Sequence, residues 1–177
     1  EVMPRAVVNH YESLPIELEY DTFGDRNNPA LLLIMGFGAQ MVAWTEDFVK
    51  MLADRGHFVV RFDNRDVGLS TKLDGVKVDS DAVVTAALLE QPIPPVPYTL
   101  SDMAADAVGL LDHLSIDKAH IMGASMGGMI AQVFAIEHPT CTASLVSVMS
   151  MSGEPETMES TPEAMTALMS IPPADRA

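Results

Sequence analysis

From position 118 the chain reads Lys118-Ala119-His120-Ile121-Met122-Gly123-Ala124-Ser125-Met126-Gly127-Gly128-Met129-Ile130-Ala131-Gln132-Val133-Phe134-Ala135. The first part is a short apolar run typical of a strand, and the last part is a longer apolar run typical of a helix. Gly123, Ser125 and Gly127 occupy the junction between the two. A sharp strand-to-helix turn lifts the serine oxygen above the sheet, and side chains two positions either side would collide, so glycine fits there. The pattern predicts an exposed serine beside the free N–H groups of a helix start, where an oxyanion could bind. A glycine-rich strand-helix junction in some other α/β domain is the alternative.

The rest of the chain alternates strand and helix patterns around this stretch. Residues 6–11 and 16–23, joined by a turn at 13–15, predict an antiparallel hairpin. An unbroken apolar run at 30–35 predicts a strand that is covered on both faces, and residues 58–62 predict the next buried strand. Further predicted elements are helices over 44–55 and 82–90, a helix from Thr99 or Ser101 to about Leu114, a strand over 142–149 and a helix over 162–170. This order predicts an α/β fold with a mostly parallel sheet and helices on both faces.

Composition limits the partners and the compartment. The net charge of −15 over 177 residues disfavours nucleic acid and anionic membranes, which bind through Lys and Arg clusters. The longest weakly interrupted apolar run, 30–44, is shorter than the roughly 18 residues of a membrane span. No basic start followed by an apolar run is visible, so no signal peptide is predicted. The single cysteine, Cys141, excludes an internal disulfide and favours a reducing compartment, so we expect a cytoplasmic protein.

No motif indicates a cofactor or a metal. Gly36-Phe37-Gly38 begins like a dinucleotide fingerprint, but the sixth position of that pattern is Met41 and not glycine. The aspartates of the polar loop at 63–70 lack the alternate spacing of a calcium loop. We interpret Asp63 and Arg65 as residues that brace this loop. The sequence therefore predicts no cofactor and no metal site.

Three motifs show that the chain resembles the α/β-hydrolase superfamily over nearly its whole length. They are Met35-Gly36-Phe37-Gly38 after a strand, Asp63-x-Arg65-x-x-Gly68-x-Ser70, and Gly123-Ala124-Ser125-Met126-Gly127-Gly128, in the family's order. Within the superfamily the chain is most similar to the esterase and lipase enzymes and the aclacinomycin-methylesterase-like group. It departs from many relatives at Met35, where they have His, and at Asp66, where they have Gly. The resemblance implies that Ser125 is the nucleophile and that the backbone N–H groups of Phe37 and Met126 form the oxyanion hole.

The remaining catalytic residues of this family are not evident in the chain. The triad order in this fold is serine, then an acid, then histidine. The single histidine after Ser125 is His138, which lies about 20 Å away along the same predicted helix at about 1.5 Å per residue. We expect all five histidines to be structural or at the surface. Glu154 is a candidate acid, but the favoured interpretation places both acid and histidine on two further strands that this chain does not contain.

This interpretation predicts an α/β-hydrolase fold that is truncated before its last strands. Residues 1–150 would form the N-terminal part of the core, and residues 151–177 would begin a cap over the pocket. Because the next strand of the family's sheet would pair beside residues 142–149, we expect that strand to have an exposed apolar edge.

The sequence thus predicts a serine hydrolase that cleaves small-molecule carboxylic esters through an acyl-enzyme on Ser125. Sequence outside this chain, or a second chain with the rest of the fold, would supply the acid and the histidine. By itself the chain is predicted to be inactive or weakly active, because a serine without a base is a weak nucleophile. One alternative is a non-catalytic binding or interaction module on the same fold. Another is a different serine-dependent reaction of this family, such as perhydrolysis or C–C hydrolysis.

Overall fold

The computed structural model describes residues 3–89, 91–154 and 161–169. Six strands alternate with helices, which confirms the predicted α/β class. The strands are β1 (Arg5–Tyr11), β2 (Leu14–Phe23), β3 (Ala30–Ile34), β4 (Phe58–Phe62), β5 (Ala119–Ala124) and β6 (Thr142–Val148). The helices are α1 (Glu46–Asp54), α2 (Ser80–Leu88), α3 (Leu100–His113), α4 (Met126–Glu137) and α5 (Pro162–Met169), and Met41–Ala43 forms one 3-10 turn.

The strands form one sheet in the order β1-β2-β4-β3-β5-β6. β1 pairs with β2 and β2 with β4 in antiparallel fashion, which confirms the predicted hairpin. The pairs β4–β3, β3–β5 and β5–β6 are parallel. The C-terminal ends of four parallel strands therefore meet at one edge of the sheet, where ligand sites of α/β folds form.

Two layers of apolar side chains cover the sheet, one on each face. In β3, Leu32 and Ile34 belong to the core that α3 and α4 close, whereas Leu31 and Leu33 pack with Trp44 on the face of α1. Successive side chains of a strand point to opposite faces, which explains why β3, between two helical layers, is apolar throughout. All residues of β3 and β4 are buried, as the sequence predicted for both strands, and the buried residues of β4 include the charged Arg61.

Several predicted boundaries differ from the structure by one or two residues, and two of the differences have an identifiable reason. The helix predicted over 44–55 begins at Glu46, because Thr45 is its N-cap and the Thr45 side chain accepts a hydrogen bond from the Phe48 N–H at 3.4 Å. The first turn is shorter than predicted, since Leu14 and Pro15 already pair with β1. Proline is tolerated at the start of a strand, where a ladder N–H is not yet needed.

β6 is the last strand of the sheet, and its surface is largely open. Among the described residues the single strand that pairs with β6 is β5. Leu145 and Val146 of β6 are 40% and 44% exposed. This confirms the predicted exposed apolar edge. Of the segment predicted as the start of a cap, the structure describes 151–154 and 161–169, and α5 lies where the sequence predicted a helix. The end of that predicted helix at position 170, and position 90 of the helix predicted over 82–90, lie outside the described residues.

No helix in the described part of the chain combines the length and apolar character needed to cross a membrane.

Candidate active site

Ser125 lies between the end of β5 and the start of α4 with a strained backbone. Its φ of 56° and ψ of −126° are values that residues other than glycine rarely adopt. Its N–H donates a hydrogen bond to the Val148 carbonyl at 2.9 Å, and its carbonyl accepts one from the Gly128 N–H at 2.8 Å. The Ser125 side chain is exposed and does not cap α4. The structure therefore holds this serine at an apex above the sheet.

The glycines on either side of Ser125 allow close packing of β5, α4 and β3. A Cβ atom on Gly123 would lie 2.0 Å from the Gly127 carbonyl oxygen, and a Cβ atom on Gly127 would lie 2.2 Å from the Ile34 carbonyl oxygen. Neither distance is compatible with a side chain. The steric reason that the sequence suggested for the Gly-x-Ser-x-Gly spacing thus agrees with the packing.

The two amides predicted as an oxyanion hole lie close to Ser125 in the structure. Met126 is the first residue of α4, and Phe37 belongs to the turn after β3, in which the Ala39 N–H donates to the Gly36 carbonyl. A Cβ atom on Gly36 would lie 3.0 Å from the Ser125 Cβ and 3.4 Å from the Met126 nitrogen. Neither the Phe37 nor the Met126 N–H donates a hydrogen bond to another described residue.

Asp63 and Asn64, which follow β4, fix the turn that contains Phe37. The Asp63 carboxylate accepts hydrogen bonds from the Met41 N–H at 2.6 Å and the Leu69 N–H at 3.4 Å. Asn64 donates from its side chain to the Met35 carbonyl at 2.9 Å. Asp63 is 3% exposed, so these bonds are formed away from water. The structure agrees with the predicted bracing role of Asp63.

Arg65 anchors the loop after β4 to α3 through a buried ion pair. Its guanidinium donates two hydrogen bonds of 2.6 Å to Asp106 of α3, and Asn9 of β1 donates a third to that carboxylate at 3.1 Å. Both side chains of the ion pair are 2% exposed. Burial raises the pKa of Asp106, and the hydrogen bonds and charge of Arg65 oppose that rise. The sequence identified Arg65 but not Asp106, whose isolated place on a helix carries no local signal.

A cleft of about 480 Å³ opens beside Met126, the residue that follows Ser125. Phe37 and Met126, which flank the serine, line one part of it. The rest of its wall comes from the loop after β4 and the start of α3: Arg65, Asp66, Val67, Tyr98, Thr99, Leu100 and Met103. Most of the surface that lines the whole cleft is apolar, and clefts of this size bind small organic molecules.

Tyr98 and Asp66 are the polar residues of this cleft that sequence reasoning missed. Both side chains line the cleft, and the Arg65 guanidinium carbon lies 5.0 Å from the centre of the Tyr98 ring. Burial, and secondly the Asp66 carboxylate, raise the pKa of Tyr98 to about 12. One signal was available, since Tyr98 stands between a proline-rich run and Thr99, the N-cap of α3.

The five histidines lie away from Ser125, as the sequence predicted. His57, just before β4, and His120, near the start of β5, pack ring against ring with centroids 5.8 Å apart. These strand starts are at the end of the sheet opposite to Ser125. His138 follows α4 and packs against Phe134. Of the other two, His10 is exposed on β1, and His113, the last residue of α3, packs against Tyr20.

Comparisons with known proteins agree with this geometry. A family model described as alpha/beta hydrolase fold matches residues 29–176. Rhodomycin D methylesterase of Streptomyces peucetius is 33% identical over 137 residues, which are 77% of this chain and 39% of that protein. The 3-oxoadipate enol-lactonase 2 of Acinetobacter baylyi is 30% identical over 124 residues, 70% of this chain and 38% of that protein. A solved hydrolase from Pseudomonas aeruginosa superposes with a TM-score of 0.65 at 25% identity, covering 94% of this chain and 50% of that one.

The chain therefore spans about two fifths of the length of these curated relatives and half of the solved structure. The matches confirm the resemblance inferred from the three motifs.

Proposed function

The chain belongs to the α/β-hydrolase fold family, and we propose that Ser125 is the nucleophile of an enzyme that hydrolyses small-molecule carboxylic esters. The observation that carries this proposal is the strained, exposed serine beside two amides without hydrogen-bond partners in the described structure. A binding module has no need of such strain, whereas a nucleophile must project from the backbone. A methylesterase and an enol-lactonase among the relatives favour ester and lactone substrates.

In the proposed reaction, the Ser125 Oγ attacks the carbonyl carbon of the ester while a base takes its proton. The carbonyl oxygen becomes an oxyanion, which accepts hydrogen bonds from the N–H groups of Met126 and Phe37. Each such donor typically contributes about 10²–10³ in rate. The C–O bond then breaks, the alcohol leaves with the proton held by the base, and water hydrolyses the acyl-serine.

We assign the base and its acid partner to sequence outside this chain or to a second chain, because none of the five histidines lies beside Ser125. The cleft of about 480 Å³ would hold the larger part of the ester next to the nucleophile. Its apolar wall supports an uncharged, bulky group over a small polar one.

Active-site labelling tests the proposal. A protein of the length of the relatives, treated with a fluorophosphonate, should carry the label on Ser125, as located by peptide mass spectrometry. The Ser125→Ala variant should lose the label and the ester hydrolysis. Ser115 offers a matched control, since it is also an exposed serine with positive φ, and Ser115→Ala should change neither. Undiminished hydrolysis by Ser125→Ala would remove Ser125 as the nucleophile.

The 177-residue chain provides the second arm of this experiment. Without a base it should label slowly and hydrolyse an aryl ester only slowly, because oxyanion-hole and binding effects alone supply about 10³–10⁴ over water. A rapid burst from a sample of verified mass would instead place the base within residues 1–177. The position of the histidines also favours a second candidate, a binding module on the hydrolase fold. Binding of an intact ester by the longer protein, without labelling or turnover, would support it.

A further inference from the structure

The cleft beside Ser125 is one of two cavities that meet at Asp66 and Tyr98. The second cavity, of about 470 Å³, shares Phe37, Asp66 and Tyr98 with the first. Its remaining wall comes from the segments around 73–80 and 96–97 and is mostly apolar: Leu73, Val76, Val78, Ser80, Val96 and Pro97. A ligand that fills both cavities must pass the side chains of Asp66 and Tyr98, which line both of them.

The charge at this junction is negative and has no cationic partner in the described structure. Arg65 also lines the first cavity, but its positive charge is offset by the Asp106 carboxylate, to which the guanidinium donates two hydrogen bonds. Asp66 instead accepts a hydrogen bond from a neutral donor, the Leu73 N–H at 2.7 Å. None of the ion pairs between described residues includes Asp66.

The backbone of Asp66 fixes this carboxylate in place. Its φ of 65° is in the left-handed region, and its N–H donates to the Thr71 carbonyl at 2.9 Å. Glycine would adopt this conformation without strain, and aspartate tolerates it better than most other residues. The carboxylate therefore projects from a defined turn and not from a mobile chain.

We propose that Asp66 and Tyr98 form a specificity-determining pair that selects esters with a bulky apolar group that is neutral or cationic and rejects esters with a carboxylate. The apolar walls of both cavities contact the hydrophobic part of the ligand. The negative charge of Asp66 attracts a cationic group on that ligand and repels a carboxylate. The inference rests on the proposed function, because it takes the cleft beside Ser125 as the ester site.

Binding of non-hydrolysable ligands tests the pair without requiring catalysis. Three naphthyl amides of matched size, ending in tert-butyl, trimethylammonium and carboxylate groups, are titrated calorimetrically into the 177-residue protein. The carboxylate ligand should bind about tenfold more weakly than the tert-butyl ligand, and the trimethylammonium ligand at least as tightly as it. In Asp66→Asn the three affinities should agree within about twofold. Asparagine keeps the acceptor for the Leu73 N–H and tolerates positive φ, so this variant should fold.

Two further variants make the assignment specific. Asp54→Asn removes the same charge from the exposed end of α1, beyond the opposite end of the sheet, and should keep the wild-type ranking. Tyr98→Phe removes a neutral hydroxyl from the junction and keeps the Asp66 charge, so the weaker binding of the carboxylate ligand should persist. An unchanged ranking in Asp66→Asn, or no binding of any ligand to the wild type, would overturn the inference. Loss of Ser125 labelling with the ranking intact would instead remove the proposed reaction and leave the specificity pair standing.

Discussion

Replacing Asp106 by alanine should be among the most destabilising single changes in the described core. The variant would leave the Arg65 guanidinium, 2% exposed, without its two 2.6 Å hydrogen bonds. Breaking a buried pair by removing one partner typically costs about 3–5 kcal/mol. Domains have a free energy of unfolding of about 5–15 kcal/mol, so the loss is a large share of the total. At about 2–4 °C per kcal/mol for a domain of this size, the Tm should fall by about 10 °C.

Urea denaturation followed by circular dichroism measures this difference. Asp112→Ala is the matched control, since it removes an exposed carboxylate from the same helix and should stay within about 0.5 kcal/mol of the wild type. The double variant Arg65→Met with Asp106→Leu should recover most of the loss, because apolar residues of similar volume often replace a buried pair at no cost. A loss below about 1 kcal/mol in Asp106→Ala, or a double variant as unstable as the single one, would refute the reasoning.

Three shorter predictions concern the serine turn and the cleft. Ser125→Gly should raise the free energy of unfolding by about 1 kcal/mol, as glycine relieves the strain at φ 56°; chemical denaturation that shows a loss would contradict this. Gly127→Ala should destabilise the protein by more than about 2 kcal/mol through the contact with the Ile34 carbonyl, so an unchanged melting temperature would argue against the observed packing. Ultraviolet titration should show one of the three tyrosines ionising near pH 12, and Tyr98→Phe should remove that step. Because the folded pKa of Tyr98 lies above the unfolded value of about 10, its contribution to stability is present below pH 10 and is lost as the pH rises towards 12.

Element types could be read from the sequence because each depends on a local pattern. β3 is covered on both faces, so its apolar run is unbroken, and α3 begins where Thr99 and Asp102 form a capping box. The error at the start of α1, in contrast, involves a contact that is not local. Trp44 looks like the first apolar residue of a helix, but its carbonyl accepts a hydrogen bond from the Arg61 side chain on β4, and the helix starts after the Thr45 cap. A contact so distant in sequence has no signature near position 44.

The candidate site could likewise be predicted from the sequence only where it depends on a local pattern. Ser125 could be located because the strand, the glycines and the helix that hold it are contiguous. The residues around Ser125 could not be predicted as a group, because the cleft wall combines side chains from four separate parts of the chain: Phe37, Asp66, Tyr98 and Met126. The partner of Arg65 was missed for the same reason, as an isolated aspartate within a helix is indistinguishable from a surface residue until the fold brings it inside.

The order of strands in the sheet also has a consequence for how the protein is made. β3 pairs with β4, which follows it closely, and with β5, which is separated from it by α1, β4, α2 and α3. During synthesis, a strand of five buried residues therefore leaves the ribosome well before its second neighbour exists. Until β5 emerges, one edge of β3 has unpaired backbone groups next to apolar side chains, a surface that chaperones and other nascent chains bind. The turn of Ser125 forms at the end of this late strand, so the site can assemble only after the centre of the sheet has closed.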